Sequence, residues 1–121
     1  MTEQTRYQLP ERVKDKISFN ADGLVPAIAQ QYDTGEVLMM AWMTAETLAE
    51  TLATGRACYY SRSRKSFWRK GDSSGHIQQV KSVHLDCDGD TILLKIDQHG
   101  AACHTGEISC FFTNIEMTHQ P

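Results

Sequence analysis

The stretch LVPAIAQQYDTGEVLMMAWMTAETLAETLATG, residues 24–55, changes its periodicity partway along. From Leu24 to Met43, apolar residues crowd both sides of one polar break, Asp33-Thr34-Gly35, whose residue types favour a turn. Two strands joined by that turn are expected, with Met39, Met40 and Trp42 in the core. From Thr44 onward the spacing becomes helical. Thr44 is of the type that caps a helix N-terminus, and Glu46 lies in the first turn, where the helix dipole favours a negative charge. Gly55 ends the run as a C-cap glycine. Leu48 and Leu52, four apart, fall on one face.

Working outward, RACYYS (56–61) has strand composition. SRSRK then turns, SFWRKG resumes the strand character, and GDSSG (71–75) is loop by its glycines and serines. HIQQVKSVHLDCD (76–88) reads as the next strand, and TILLKI (91–96) as a buried one. DQHGAACHTGEISCFF (97–112) opens as a glycine-punctuated loop and ends apolar. Residues 1–18 are polar and charged, and a loose arm is expected there. One helix among many short strands predicts the α+β class, with a small, mostly antiparallel sheet and one main helix. A chain of 121 residues suits one domain, residues 1–121.

Charged residues make up 22% of the chain and hydrophobic ones 40%, the balance of a soluble globular protein. The start, MTEQTRYQLPERVKDK, carries no apolar signal region, and no apolar run is of membrane-spanning length. A cytoplasmic location and no membrane partner are expected. The net charge of −3 argues against a nucleic-acid partner. Yet five of the twelve basic residues (Arg62, Arg64, Lys65, Arg69 and Lys70) fall within residues 61–70, a concentration suited to an anion. The glycines and serines of KGDSSG (70–75) can cradle a phosphate with backbone N–H groups, and the arginines of SRSR can grip another bidentately. Arg62, Arg64, Lys70, Gly71, Ser73, Ser74 and Gly75 are thus the candidate phosphate-binding residues.

DCDGD, residues 86–90, places three acids on alternating positions. On an extended chain Asp86 and Asp88 project to one side, and a turn at Gly89 folds Asp90 back toward them. Converging carboxylates repel unless a hard cation neutralises them. Read in isolation, the pentapeptide is more often a solvated turn. It is not a calcium-binding EF-hand loop, because the sixth position from Asp86 is Thr91 rather than glycine and the twelfth is Asp97 rather than glutamate. Cys87 is expected on the opposite face, where its candidate partners are Cys103 and Cys110 of ACHTGEISC. A reducing compartment disfavours disulfides and leaves metal ligation or plain burial. Three thiolates suit zinc and leave one coordination position for water, the catalytic pattern. His104 beside Cys103 is a candidate fourth ligand or general base. Such a site can close within one chain or across two.

The blocks YYSRSRKSFWRKGDSSGHIQQVKSVHLDCDGD and HGAACHTGEISCFF resemble the phosphoribosyl-AMP cyclohydrolase family of histidine biosynthesis, in order and spacing, from about Val25 to Phe112. The resemblance implies a homodimeric hydrolase that opens the adenine ring of N1-(5-phosphoribosyl)-AMP at the N1–C6 bond with zinc-activated water. It implies a zinc site shared across the dimer, Cys87 from one chain and Cys103 and Cys110 from the other. It implies magnesium at Asp86, Asp88 and Asp90. His104 or His84 would move protons. This chain departs from the family pattern at Asp72, where glutamate is usual. Cys58 lies outside the three-cysteine pattern and is expected to be a buried strand residue. A zinc-stabilised interaction domain would need a complete ligand set and no magnesium. A zinc-dependent nucleoside deaminase would need H-x-E and P-C-x-x-C signatures, which are absent.

Overall fold

The stretch from Leu24 to Gly55 folds as its periodicity implies. In the computed structural model, which describes residues 7–119, strands β1 (Val25–Gln31) and β2 (Val37–Met43) form an antiparallel hairpin. The helix after the hairpin is α2 (Ala45–Thr54), preceded in the chain by a short α1 (Glu11–Lys14). Thr44 caps α2 reciprocally: its side chain accepts the Thr47 N–H, and the Thr47 hydroxyl accepts the Thr44 N–H. Gly55 takes the left-handed conformation that ends the helix.

Four more strands follow: β3 (Cys58–Ser61), β4 (Ser66–Arg69), β5 (Gln78–Leu85) and β6 (Ile92–Gln98). They complete one six-stranded sheet in the order β4-β3-β2-β1-β6-β5. Four of its neighbouring pairs are antiparallel, as expected, but β1 and β6 run parallel, so the sheet is mixed. These two central strands contribute Val25, Ala27 and Ala29 together with Ile92, Leu94 and Ile96, all fully buried, to the core. Helix α2 lies against β2 and β3 and adds Leu48.

Four expectations need correction. Trp42 is only half-buried and lies outside the core, with the Arg62 guanidinium over its ring. Met40 is 45% exposed, because its neighbour Met39 points into the core and adjacent strand residues face opposite sides. Leu52 is equally exposed, since the helix face turned inward is centred on Thr47, Leu48 and Thr51. The arm is not loose over its described part: Leu9 and Ile17 are buried in the core, and the Ser18 N–H donates to the Gly89 carbonyl at 2.7 Å. Residues 1–6 of the arm lie outside the described residues.

A buried polar pair joins helix to sheet. The Glu50 carboxylate on α2 accepts two N–H groups of the Arg69 guanidinium at the end of β4. Neighbouring Cys58, at the start of β3, is fully buried, as its strand composition implied. Burial pushes its thiol pKa up to about 12, with the Glu50 charge adding to the rise. Thiolates, not thiols, react with alkylating agents. In folded protein at pH 8, Cys58 therefore stays unlabelled by iodoacetamide and reacts only after unfolding. Peptide mass analysis that found Cys58 labelled as fast as the exposed Cys87 would contradict this packing.

Candidate active site

The basic segment and the A-C-H-T-G segment meet at the rim of the sheet. The end of β4, the 71–75 loop and the loop after β6 enclose one cleft of about 610 Å³. Arg64, Lys70, Gly71, Ser73, Ser74, Cys103 and His104 all line it. Two sequence segments thirty residues apart therefore build one cleft, with candidate phosphate ligands on one wall and Cys103 and His104 on the other. Arg62 is elsewhere: its guanidinium stacks over the Trp42 ring, 4.6 Å from the centroid. Gly75 closes the loop, its N–H donating to the Gly71 carbonyl, without lining the cleft.

The loop after β6 brings Cys103 and Cys110 together. The Cys103 N–H donates to the Glu107 carbonyl and the Cys110 N–H to the Leu38 carbonyl, so the segment folds back on itself and is pinned to β2. The two thiols are near enough to influence each other's titration. Hydrogen bonds from the Thr105 side chain and backbone hold the Cys103 pKa below the usual thiol range. Burial and the neighbouring Cys103 push that of Cys110 up. A pair of adjacent sulfurs, one of them favouring the thiolate, fits a borderline-soft ion such as zinc.

Cys87 is far from this pair. It follows β5 near the start of β6, whereas Cys103 follows the end of β6. Seven extended residues separate the two ends, roughly 20 Å. Zinc holds sulfur at about 2.3 Å, so one ion cannot reach all three thiols of a single chain. Among the described residues, no three His, Cys, Asp or Glu side chains of one chain gather as a metal-holding group.

The structure also changes the geometry expected of DCDGD. Strand β5 ends at Leu85, and residues 86–90 form a turn, so strand alternation does not assign Cys87 and the acids to opposite faces. The Cys87 thiol instead donates to the Asp88 carboxylate at 3.6 Å. The Asp86 carboxylate accepts the Asp90 N–H at 3.0 Å. Slight desolvation of Asp86, which acts upward, is outweighed by hydrogen bonds from the Asp90 side chain and nearby backbone, and its pKa falls. The Asp90 pKa rises, through its hydrogen bond with Asp86 and the charges of Asp86 and Asp88. Carboxylates are the ligand type that a hard cation such as magnesium takes, but Asp86, Asp88 and Asp90 do not converge on one point in this arrangement. His84 is near this end of the molecule, exposed on β5 and bonded to the Ser82 hydroxyl, so within one chain it does not face the cleft that holds His104.

One cleft residue escaped the sequence reading. His76 lines the wall between the serine loop and the A-C-H-T-G loop. A buried chain of hydrogen bonds fixes its backbone: the Tyr59 hydroxyl donates to Gln78 Oε1 at 2.6 Å, Gln78 Nε2 to Gln98 Oε1, and Gln98 Nε2 to the His76 carbonyl. Gly100 allows the imidazole to lie against its Cα, where a Cβ would come within 2.5 Å of the ring. The available signal was a histidine directly after a glycine-serine loop. Asp72, at the rim, pairs with Arg56 at 3.4 Å, and both are largely exposed, which makes the pair worth little.

A family model described as phosphoribosyl-AMP cyclohydrolase matches residues 39–112. Among curated proteins, the chain is 72% identical over 98 residues to a phosphoribosyl-AMP cyclohydrolase of Paramagnetospirillum magneticum, spanning 81% of this chain and 74% of that one. It is 62% identical over 112 residues to that of Alkalilimnicola ehrlichii, spanning 93% and 78%. It is 60% identical over 112 residues to that of Streptomyces coelicolor, spanning 93% and 88%.

Proposed function

The chain belongs to the phosphoribosyl-AMP cyclohydrolase family, and from that membership we propose that it hydrolyses the N1–C6 bond of N1-(5-phosphoribosyl)-AMP. The product would be the phosphoribosylformimino-AICAR-phosphate of L-histidine biosynthesis, made in the cytoplasm. The observation that carries this reading is the meeting of an anion-binding wall and a thiol-histidine wall in one cleft. The substrate brings phosphates and a ring to be opened, and each wall suits one of them.

The substrate's N1 is alkylated, so its ring is amidinium-like and C6 is electrophilic. Water adds at C6, the C6–N1 bond breaks, and N1 takes a proton. Backbone N–H groups of Ser73 and Ser74 and the Arg64 side chain would bind phosphate. His104 and His76 line the cleft and are the candidates to take a proton from water and return one to N1. Cys103 and Cys110, with Cys87 of a second copy, would hold zinc, a Lewis acid that lowers the pKa of water toward neutrality. Asp86, Asp88 and Asp90 would hold magnesium, which offsets phosphate charge.

A homodimer follows from the same reasoning. Cys87 cannot reach the other two thiols of its own chain, and the segment that carries Cys110 ends in a run of exposed apolar side chains. Ile108, Phe111, Phe112, Ile115 and Met117 are each more than half exposed, an apolar patch suited to burial against a second copy.

Ring opening is followed by ultraviolet absorbance of purified protein with N1-(5-phosphoribosyl)-AMP and magnesium. A zinc-stripping chelator is expected to abolish turnover, and added zinc to restore it. A zinc-loaded, dimeric protein that leaves the substrate intact would defeat the proposed function.

A further inference from the structure

Lys70 belongs, by sequence, to the candidate phosphate loop and lines the same cleft, but its ammonium is engaged by the loop after β6. The backbone N–H of Lys70 donates to the Ala57 carbonyl, which fixes the residue at the end of β4. From there the ammonium reaches the Ala102 carbonyl, 2.5 Å away on the loop after β6. Ala102 directly precedes Cys103. The ammonium also lies over the Trp68 ring, 5.7 Å from its centroid, and within electrostatic reach of both Cys103 and Cys110. It is partly buried, with a carbonyl and an aromatic face beside it.

We propose that Lys70 is a positioning residue for the thiol pair rather than a phosphate ligand: it ties the Ala102–Cys103 backbone to β4 and offsets the negative charge of the sulfurs. This inference rests on the zinc reading of Cys103 and Cys110. Three thiolates around one dication leave a net charge of about −1, by the charge count of a thiolate zinc site. A fixed ammonium beside them neutralises that excess, and its bond to the Ala102 carbonyl holds the ligand loop in place. Groups that hold and polarise metal ligands from outside typically change metal affinity about 10–100-fold.

Chelator competition on full-length protein, with zinc as the probe, reads this directly. K70Q is expected to weaken zinc binding about 10–100-fold. K70R keeps the charge and a donor for the Ala102 carbonyl, and should hold zinc well above the K70Q level. Thermal unfolding of the metal-free variants should match the wild type, which separates the effect from a folding defect. Absorption of the cobalt-substituted protein should shift in K70Q, as the ligand loop loses its tether. If K70Q binds zinc as the wild type does and only KM rises, Lys70 is a phosphate ligand and the inference is overturned. If the wild type and Cys110→Ser bind zinc equally poorly, the zinc reading itself falls, and this inference with it.

Discussion

Mixing two variants, Cys87→Ser and Cys110→Ser, is expected to restore about a quarter of wild-type activity once their subunits exchange, if the proposed sites are shared across a two-fold dimer. Each variant alone is expected to lose activity by ~10³-fold or more, since a Lewis acid contributes several kcal/mol to the barrier and each 1.36 kcal/mol is tenfold in rate. The recovery has a geometric cause. Cys87 lies at one end of β6 and the Cys103–Cys110 pair at the other, too far apart for one ion within a chain. A site built from two copies takes Cys87 from one and Cys110 from the other. In a mixed dimer both lesions fall in one site, and the second site is intact. Random exchange makes about half the dimers mixed, each with one of its two sites working. Steady-state turnover before and after exchange, with mixed dimers counted by native mass spectrometry, gives the answer. Verified mixed dimers without activity would mean that the thiols do not combine across copies.

Gly71→Ala is expected to cost at least ~3 kcal/mol of stability and to remove most activity, because a strained conformation and a backbone clash add together. Gly71 has φ +88°, and a Cβ there would come within 2.5–2.6 Å of the backbone of His76 and Ile77. A side chain has nowhere to go, since backbone rather than a flexible side-chain end is in the way. The 71–76 loop would have to open, carrying Ser73, Ser74 and His76 away from the cleft. Gly75→Ala is the internal control. Its φ is +81°, but nothing lies within 4 Å of the added Cβ. Conformational strain alone should cost about 1–2 kcal/mol there. Thermal unfolding of the two variants separates the terms, and equal losses at both positions would show that the close approach at Gly71 does not matter.

Much of this molecule was readable before its fold. The hairpin and α2 were local matters: a turn at Asp33-Thr34-Gly35, a cap at Thr44 and a stop at Gly55 act within a few residues of chain. The burial of Ile92, Leu94 and Ile96 followed from their apolar composition. Cys58 read correctly for a similar reason, as a small apolar residue in strand-like surroundings. Met40 and Leu52 did not, because hydrophobicity says that a residue gains from burial and not that a neighbour is there to bury it.

The residue types alone determined the chemistry on offer: thiols for a soft ion, carboxylates for a hard one, arginines and a glycine-serine loop for phosphate. They also carried the family resemblance, through the order and spacing of three short blocks. Only the tertiary structure decided how these groups meet. It put β1 beside β6 in parallel, a pairing between segments some sixty residues apart that no local pattern encodes. It ended β5 at Leu85, so that turn geometry rather than strand alternation sets the directions of Asp86, Cys87 and Asp88. It brought His76 into the cleft through Tyr59, Gln78 and Gln98, whose buried amides and hydroxyl must find partners once water is excluded. It tied the Lys70 ammonium to the Ala102 carbonyl, directly before Cys103. Local signals act through the backbone over a few residues. Convergence is a property of the folded sheet, in which the length of β6 holds Cys87 apart from the thiols it resembles.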